Sequence, residues 1–308
     1  MALSGKDLLG GVVVPAVTPI GGHGGPDFAA GCGYFDALAA AGITKIMLLG
    51  TNGEGPLFDT QSIGQFLADA VGQWKRRVPG GTVVVNVSAA GTRESLLRAE
   101  AAAAAGSDAL VLSPPFYFQH SERDIAAHYH AARAASLPVI AYNTPRYASP
   151  LAAGSIRALA EMPHVVGVKD SSGDAAVLAQ WLEVPRGRPD FGVSQGAEQY
   201  LYDALAAGAD GITPGIANIA PRVAVELVAA HRGDDDVRAA RAQERIVRLM
   251  KIHSVRPGVP VVKATLALRG LCPADLAPPQ RVLDDDETAD LRRFLSTVEH
   301  ELIGTSDG

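Results

Sequence analysis

The 308-residue chain has only two cysteines, Cys32 and Cys272, far apart and without CxxC spacing. Neither a disulfide framework nor a structural zinc site is expected, and a reducing cytoplasm is the anticipated setting. No run approaches the roughly 18 uninterrupted apolar residues of a membrane helix. The most apolar stretches are Ala-rich and broken by Glu100, Asp108 or Asp210. Lys6 and Asp7 precede any apolar run, so nothing near the N-terminus resembles a signal h-region. Positive charge is also scarce, with 27 Lys and Arg against 33 Asp and Glu and a formal charge of −6. Without a basic stripe to meet phosphates, neither nucleic acid nor a membrane surface is an expected partner. The short cluster Lys75-Arg76-Arg77 suits the C-terminal end of a helix dipole instead. Gly21-Gly22-His23-Gly24-Gly25 lacks both the GxGxxG and the P-loop spacing and reads as a flexible turn.

Apolar residues, by contrast, are plentiful: 47% of the chain is hydrophobic and 19% charged, enough for a large core. Eight short runs stand out: Val12–Val17, Ile43–Leu49, Val83–Val87, Ala109–Leu112, Val139–Tyr142, Val165–Lys169, Phe191–Ser194 and Gly211–Thr213. They are nearly continuous in apolar character, as parallel strands covered on both faces are. The segments between them have the length of crossover helices. Ala41-Gly42, Ala105-Gly106 and Ala207-Gly208 each place glycine between an Ala-rich segment and a run, where a helix can end left-handed. Eight such units predict an α/β protein, a (β/α)8 TIM barrel over residues 1–222. A doubly wound open sheet is the alternative, although it usually carries a glycine-rich phosphate loop after its first strand. Residues 223–308 read as a C-terminal helical appendage, with helices over Val223–His231, Val237–His253 and Ala289–Ile303. The acidic run Asp284-Asp285-Asp286-Glu287 fits the solvated first turn of the last helix rather than a metal site.

Barrel active sites lie at the C-terminal ends of the strands. That rule selects Gly50-Thr51-Asn52-Gly53-Glu54, Pro114-Pro115-Phe116-Tyr117, Tyr142-Asn143-Thr144-Pro145-Arg146 and Lys169-Asp170-Ser171-Ser172. Lys169 is the most telling of these, because the chain has only six lysines and this one ends the apolar run Val165-Val166-Gly167-Val168. Burial at the rim of an apolar barrel favours a nucleophilic amine over a solvated ammonium. Arginine cannot substitute, since it stays protonated. The plain alternative is a surface ion pair between Lys169 and Asp170. Lys45 is expected near the start of its strand, at the wrong end for chemistry, and Lys263 within the helical appendage. Tyr142 offers a phenol for proton exchange, or a packed ring with a satisfied hydroxyl. Thr51 and Asn52, bracketed by glycines, offer donors suited to a carboxylate, or simply a tight turn.

The blocks Gly50-Thr51-Asn52-Gly53-Glu54, Tyr142-Asn143-Thr144-Pro145 and Val168-Lys169-Asp170-Ser171-Ser172-Gly173-Asp174 together resemble the signatures of the dihydrodipicolinate synthase / N-acetylneuraminate lyase family, in order and approximate spacing. The resemblance runs from about Gly10 to Leu295. It implies a barrel with a C-terminal helical region, assembled as a homotetramer of two tight dimers. It implies small-molecule substrates, with Lys169 attacking the keto carbon of pyruvate to form an imine. Tyr142 and Thr51 then resemble the proton relay, and Tyr117 the tyrosine that enters the neighbouring subunit's site. Thr51 and Asn52 would hold the pyruvate carboxylate, with the Thr213 carbonyl nearby. Neither metal nor organic cofactor is implied, because the protonated imine is the electron sink.

Two departures bear on the substrate. Lysine-pathway synthases of the family carry two threonines in the first block, where this chain has Thr51 and Asn52. They also place an arginine two residues after the proline of the tyrosine block; here Tyr147 occupies that position and Arg146 comes one residue early. Side-chain direction changes sharply with a one-residue shift. The asparagine resembles members that split 4-hydroxy-2-oxo acids. Gly196-Ala197-Glu198-Gln199 resembles the place where sialic acid lyases bind sugar hydroxyls, although it can also be an ordinary helix-starting turn. The expected activity is therefore aldol cleavage or condensation of a 4-hydroxy-2-oxo acid or 2-keto-3-deoxy sugar acid. Condensation of pyruvate with aspartate semialdehyde is the alternative, and a 2-oxo acid sensor a third reading, which needs no proton relay.

Overall fold

The computed structural model describes residues 3–22 and 24–304. Eight parallel strands close into a barrel in chain order. They are β1 (Gly11–Pro15), β2 (Lys45–Leu48), β3 (Thr82–Asn86), β4 (Ala109–Leu112), β5 (Val139–Asn143), β6 (Val165–Asp170), β7 (Gly192–Gln195) and β8 (Gly211–Ile212). The closed order excludes the doubly wound sheet. Helices between the strands cover the outer face, which explains why the strands are apolar on both sides. Gly42 and Gly208 end their helices at φ +83° and +109°, the left-handed conformation their sequence position called for. Gly24 N–H donates to the Gly21 carbonyl at 2.8 Å and Gly21 N–H to the Gly25 carbonyl at 3.0 Å; His23, within the glycine-rich segment, lies outside the described residues.

The barrel interior is filled by Val13, Met47, Val84, Ala109, Val111, Ile140 and the ring of Tyr142, stacked in layers. Its N-terminal end is stoppered by the helix Gly5–Leu9, which inserts Leu8 and Leu9 beneath those layers. The five-residue helix is too short to show a period; its one sequence signal is the capping box of Ser4 and Asp7, which exchange hydrogen bonds at its start. Its seat depends on backbone approach: a Cβ on Gly5 would lie 1.8 Å from the Val166 carbonyl oxygen, and one on Gly192 would lie 2.1 Å from that of Gly5. Lys45 stands at this end and donates to the Asp7 and Gly10 carbonyls, far from the strands' C-terminal ends.

Past β8, the helix Pro221–Arg232 packs on β1 and on the helix Leu201–Ala206, as a barrel helix does. Asp236–Leu249, Val259–Leu268 and Asp285–Ser296 follow. The helix Val259–Leu268 escapes the sequence reading as a separate element because it is apolar all round and shows no stripe; such a helix is buried. The expected last helix, Ala289–Ile303, begins earlier, because Asp284 caps it and exchanges hydrogen bonds with Glu287. It ends at Ser296, and a separate short turn spans Glu299–Glu301. A continuous apolar core joins these helices to the barrel. No helix among the described residues is long and apolar enough to cross a membrane.

Candidate active site

Strand pairing brings the candidate residues together. Tyr142 on β5 pairs with Lys169 on β6, and Asn143 with Asp170. Paired residues on parallel strands point to the same face, so Tyr142 and Lys169 project inward together. Lys169 is 5% exposed, and its Nζ lies 4.2 Å from the centroid of the Tyr142 ring. Asp170 alternates to the opposite face, where it is fully buried. There it accepts from Asn143 Nδ2 at 2.7 Å and from Ser172 Oγ at 2.8 Å. The alternative of a surface Lys169–Asp170 pair is thus incompatible with the geometry. Burial pushes the Asp170 carboxyl up, against the hydrogen bonds from Asn143 and Ser172 that pull it down.

The Tyr142 hydroxyl meets Thr51 Oγ1 at 3.3 Å. Burial acts to raise its phenol, but the Lys169 charge and hydrogen bonds with Thr51, Thr144 and Lys169 prevail and hold it below its ordinary value. A phenol so placed gives and takes protons more readily than one in water. Asn52 packs against Gly215, where a Cβ would come within 2.9 Å of Asn52 Nδ2. Thr213 Oγ1 meets Ser194 Oγ at 2.7 Å.

Gly196 supplies room at the amine: a Cβ there would lie 2.2 Å from Ser171 Oγ and 3.1 Å from Lys169 Cε. Glu198 is half-buried and accepts from the Ile216 N–H at 2.7 Å, while Gln199 is exposed. Burial raises the Glu198 carboxyl, partly countered by the Ile216 N–H and the Lys169 charge. Tyr117 does not reach this site within its own chain. It is 86% exposed at φ +85° and packs edge-on against Phe118.

A cavity of about 450 Å³ opens above Tyr142 and Thr51, with Arg146 and Tyr147 on its wall. Arg146 lies over the Tyr147 ring at 5.6 Å, so the one-residue displacement still leaves its guanidinium at the cavity. Several wall residues were not anticipated. Asn86 ends β3 and Ser88 follows it, and the strand-end rule applied to β3 finds both; Ser113, also on the wall, heads the block Ser113-Pro114-Pro115-Phe116-Tyr117 that the rule selects after β4. Gly258, Val259 and Gln280 come from the C-terminal region, which no local pattern connects to the barrel mouth.

Glu54, the last residue of the Gly50–Glu54 block, is also on the wall, and Lys263 stands in the helix Val259–Leu268 of the C-terminal region. They form a buried ion pair, Oε2 to Nζ at 2.5 Å, with both side chains 0% exposed. Both the charge of Lys263 and its hydrogen bond favour the ionised Glu54 carboxylate. Glu54 Oε1 accepts from the Ala277 N–H at 2.8 Å, and Lys263 donates to the Asp275 carbonyl at 2.7 Å. Burial raises the Glu54 carboxyl above its ordinary value, with Lys263 and Ala277 opposing. Arg98 grips the same turn from the other side, donating to the carbonyls of Gly55 at 2.9 Å and Phe58 at 2.6 Å. A lysine inside an apolar helix was the available signal, because such a charge needs a partner.

A model of the dihydrodipicolinate synthetase family matches residues 8–298. An uncharacterized DapA-like lyase of Halobacterium salinarum is 32% identical over 292 residues, covering 94% of each chain. A 4-hydroxy-tetrahydrodipicolinate synthase of Pseudomonas aeruginosa is 29% identical over 274 residues, 88% of this chain and 92% of its own. Among solved structures, Escherichia coli K12 YagE in complex with pyruvate aligns with a TM-score of 0.88 at 25% identity, covering 95% of this chain and 99% of that one. YagE carries the provisional name 2-dehydro-3-deoxy-D-gluconate aldolase.

Proposed function

The chain belongs to the dihydrodipicolinate synthetase family of class I lyases and aldolases, and on that premise we propose that it makes or breaks a carbon–carbon bond through a pyruvate Schiff base on Lys169. The observation that carries this reading is the inward pairing of Lys169 with Tyr142, whose hydroxyl continues to Thr51 at 3.3 Å. The Lys169 amine attacks the keto carbon of pyruvate, and the carbinolamine loses water with a proton passed through Tyr142 and Thr51. Thr51 and Asn52 hold the carboxylate, with the Thr213 carbonyl beside them. Loss of a C3 proton turns the imine into an enamine, whose carbon adds to an aldehyde. The aldehyde's π pair moves to its oxygen, which takes up a proton. Water then releases a 4-hydroxy-2-oxo acid and regenerates the amine. Run backwards, the same steps cleave that acid or a 2-keto-3-deoxy sugar acid.

Condensation with aspartate semialdehyde is the second reading, favoured by the presence of Arg146 on the cavity wall. The proposal includes a homotetramer in which Tyr117 enters a neighbour's site. Its 86% exposure and left-handed backbone, uncommon outside glycine, support that reach. Borohydride reduction in the presence of pyruvate, followed by peptide mass mapping, tests the chemistry. The expected result is a stable adduct on Lys169 that disappears in Lys169→Ala. An adduct on Lys45 or Lys263 instead would contradict the assignment.

A further inference from the structure

One residue beyond the phenol and the amine lies a second cross-strand pair, which the proposed chemistry leaves unused. Asn143 and Asp170 are 1% and 0% exposed, and they face each other on the side of β5 and β6 away from Tyr142 and Lys169. Asn143 Nδ2 donates to Asp170 Oδ1 at 2.7 Å, and Asn143 Oδ1 accepts from the Leu151 N–H at 3.1 Å. The two bonds fix which way the amide points, because a carboxylate only accepts and a backbone N–H only donates. Ser172 donates to the same carboxylate, through Oγ at 2.8 Å and through its N–H at 3.4 Å. These donors are neutral, and among the described residues Asp170 forms no ion pair. A buried carboxylate without a cation depends on each hydrogen bond it receives.

The pair closes the stretch of sheet whose register places the active site. Val166 is skipped in the β5–β6 pairing, which resumes with Ile140 opposite Gly167 and runs to Asn143 opposite Asp170. Gly167 permits the tight packing there: a Cβ on it would lie 2.7 Å from the Gly192 carbonyl oxygen and 2.8 Å from Leu9 Cδ1. Without the skipped residue Asn143 would stand opposite Lys169, and Asp170 would lose its amide donor. We infer that the Asn143–Asp170 hydrogen bond locks the shifted register and thereby sets the Lys169 amine against the Tyr142 phenol. Both are positioning residues, since they act through their chain neighbours and touch no reacting atom. The effect on rate rests on the imine chemistry proposed above; the effect on the Tyr142 phenol does not.

The test uses the full-length protein and two substitutions that remove the same charge. Asp170→Asn keeps an acceptor for Asn143 and turns its own amide toward Ser172 Oγ, which can accept. Asp170→Ala keeps neither bond. Borohydride trapping with pyruvate reads the rate of imine formation, and the phenolate absorbance lost in Tyr142→Phe reads the Tyr142 titration. Asp170→Asn should stay within about threefold of the parent rate. Asp170→Ala should be slower by about a hundredfold, as a displacement of about 1 Å implies. The Lys169 charge holds the phenol down, so retreat of the amine raises it, whereas loss of a nearby carboxylate alone lowers it. Tyr142 should therefore titrate at higher pH in Asp170→Ala than in the parent, a change that lost stability alone does not produce. If Asp170→Ala does not fold, Asn143→Asp decides the matter. Alone it sets two carboxylates face to face and slows imine formation; adding Asp170→Asn restores the bond with its roles exchanged and recovers the rate. Equal rates for Asp170→Asn and Asp170→Ala, a Tyr142 titration that does not rise, or a double variant no faster than Asn143→Asp overturns the inference. A parent that traps no imine overturns the Schiff-base reading alone, and the Tyr142 titration still decides the register.

Discussion

Replacing Lys263 with methionine gives the sharpest energetic test of the geometry. The substitution nearly conserves volume but deletes the charge facing Glu54, leaving a carboxylate with no exposed surface and only neutral partners. Removing one member of a buried ion pair typically costs about 3–5 kcal/mol, because the remaining charge keeps its desolvation penalty. For a chain of this size that corresponds to a fall in Tm on the order of 10 °C. Glu54→Gln combined with Lys263→Met should recover most of the loss. The glutamine keeps an acceptor for the Ala277 N–H and carries no charge to strand.

The deficit should also depend on pH. Burial already raises the Glu54 carboxyl, and loss of Lys263 removes a group that opposes the rise. A carboxyl whose folded-state value is raised stabilises the fold while protonated, and that contribution is lost as pH climbs through the raised value. The Lys263→Met deficit should therefore be small near pH 5 and grow toward pH 8. Scanning calorimetry across that range reads it directly. A variant melting within a degree of the parent at pH 8, or a double variant no better than the single one, would refute the reasoning.

Two further outcomes follow from the amine's surroundings. Gly196→Ala puts a methyl group against Lys169 Cε and Ser171 Oγ, and displacing a reacting group by about 1 Å can cost about a hundredfold. The rate of borohydride-trappable imine formation should fall by that order, and a parental rate would show that the amine needs no such clearance. Thr51→Val removes a hydrogen bond that lowers the Tyr142 phenol, so the alkaline limb of the kcat profile should move to higher pH. A shift to lower pH, or none, would show that Thr51 does not stabilise the ionised phenol.

Much of the barrel was legible because its cause is local. Eight apolar runs, three of them preceded by an Ala-rich segment ending in glycine, read as strands that need cover on both faces. The strand-end rule then placed Thr51, Tyr142 and Lys169 at one rim. The rest shows no period along the chain. The helix Gly5–Leu9 is too short for a period, and its value lies in stoppering a barrel whose bottom no single segment defines. The wall supplied by Gly258, Val259 and Gln280 depends on where the C-terminal helices come to rest.

The amino-acid pattern alone determined the alternation of strand and helix, the count of eight runs, and which side chains stand at strand ends; closure into a barrel came from the tertiary structure. Burial preference and turn chemistry act over a few residues, and so they are written in the order of residues. Tertiary structure alone decided whether Tyr142 faces Lys169. The β5–β6 register shifts by one residue between Val139 and Ile140, moving the pairing from Val139 with Val165 to Ile140 with Gly167. Without that shift Tyr142 would lie opposite Val168, and the amine would alternate to another height on the wall. Register is settled by two strands meeting across 27 residues of chain, and the partner of Glu54 by a helix more than 200 residues away. Neither choice is made by any residue's immediate neighbours.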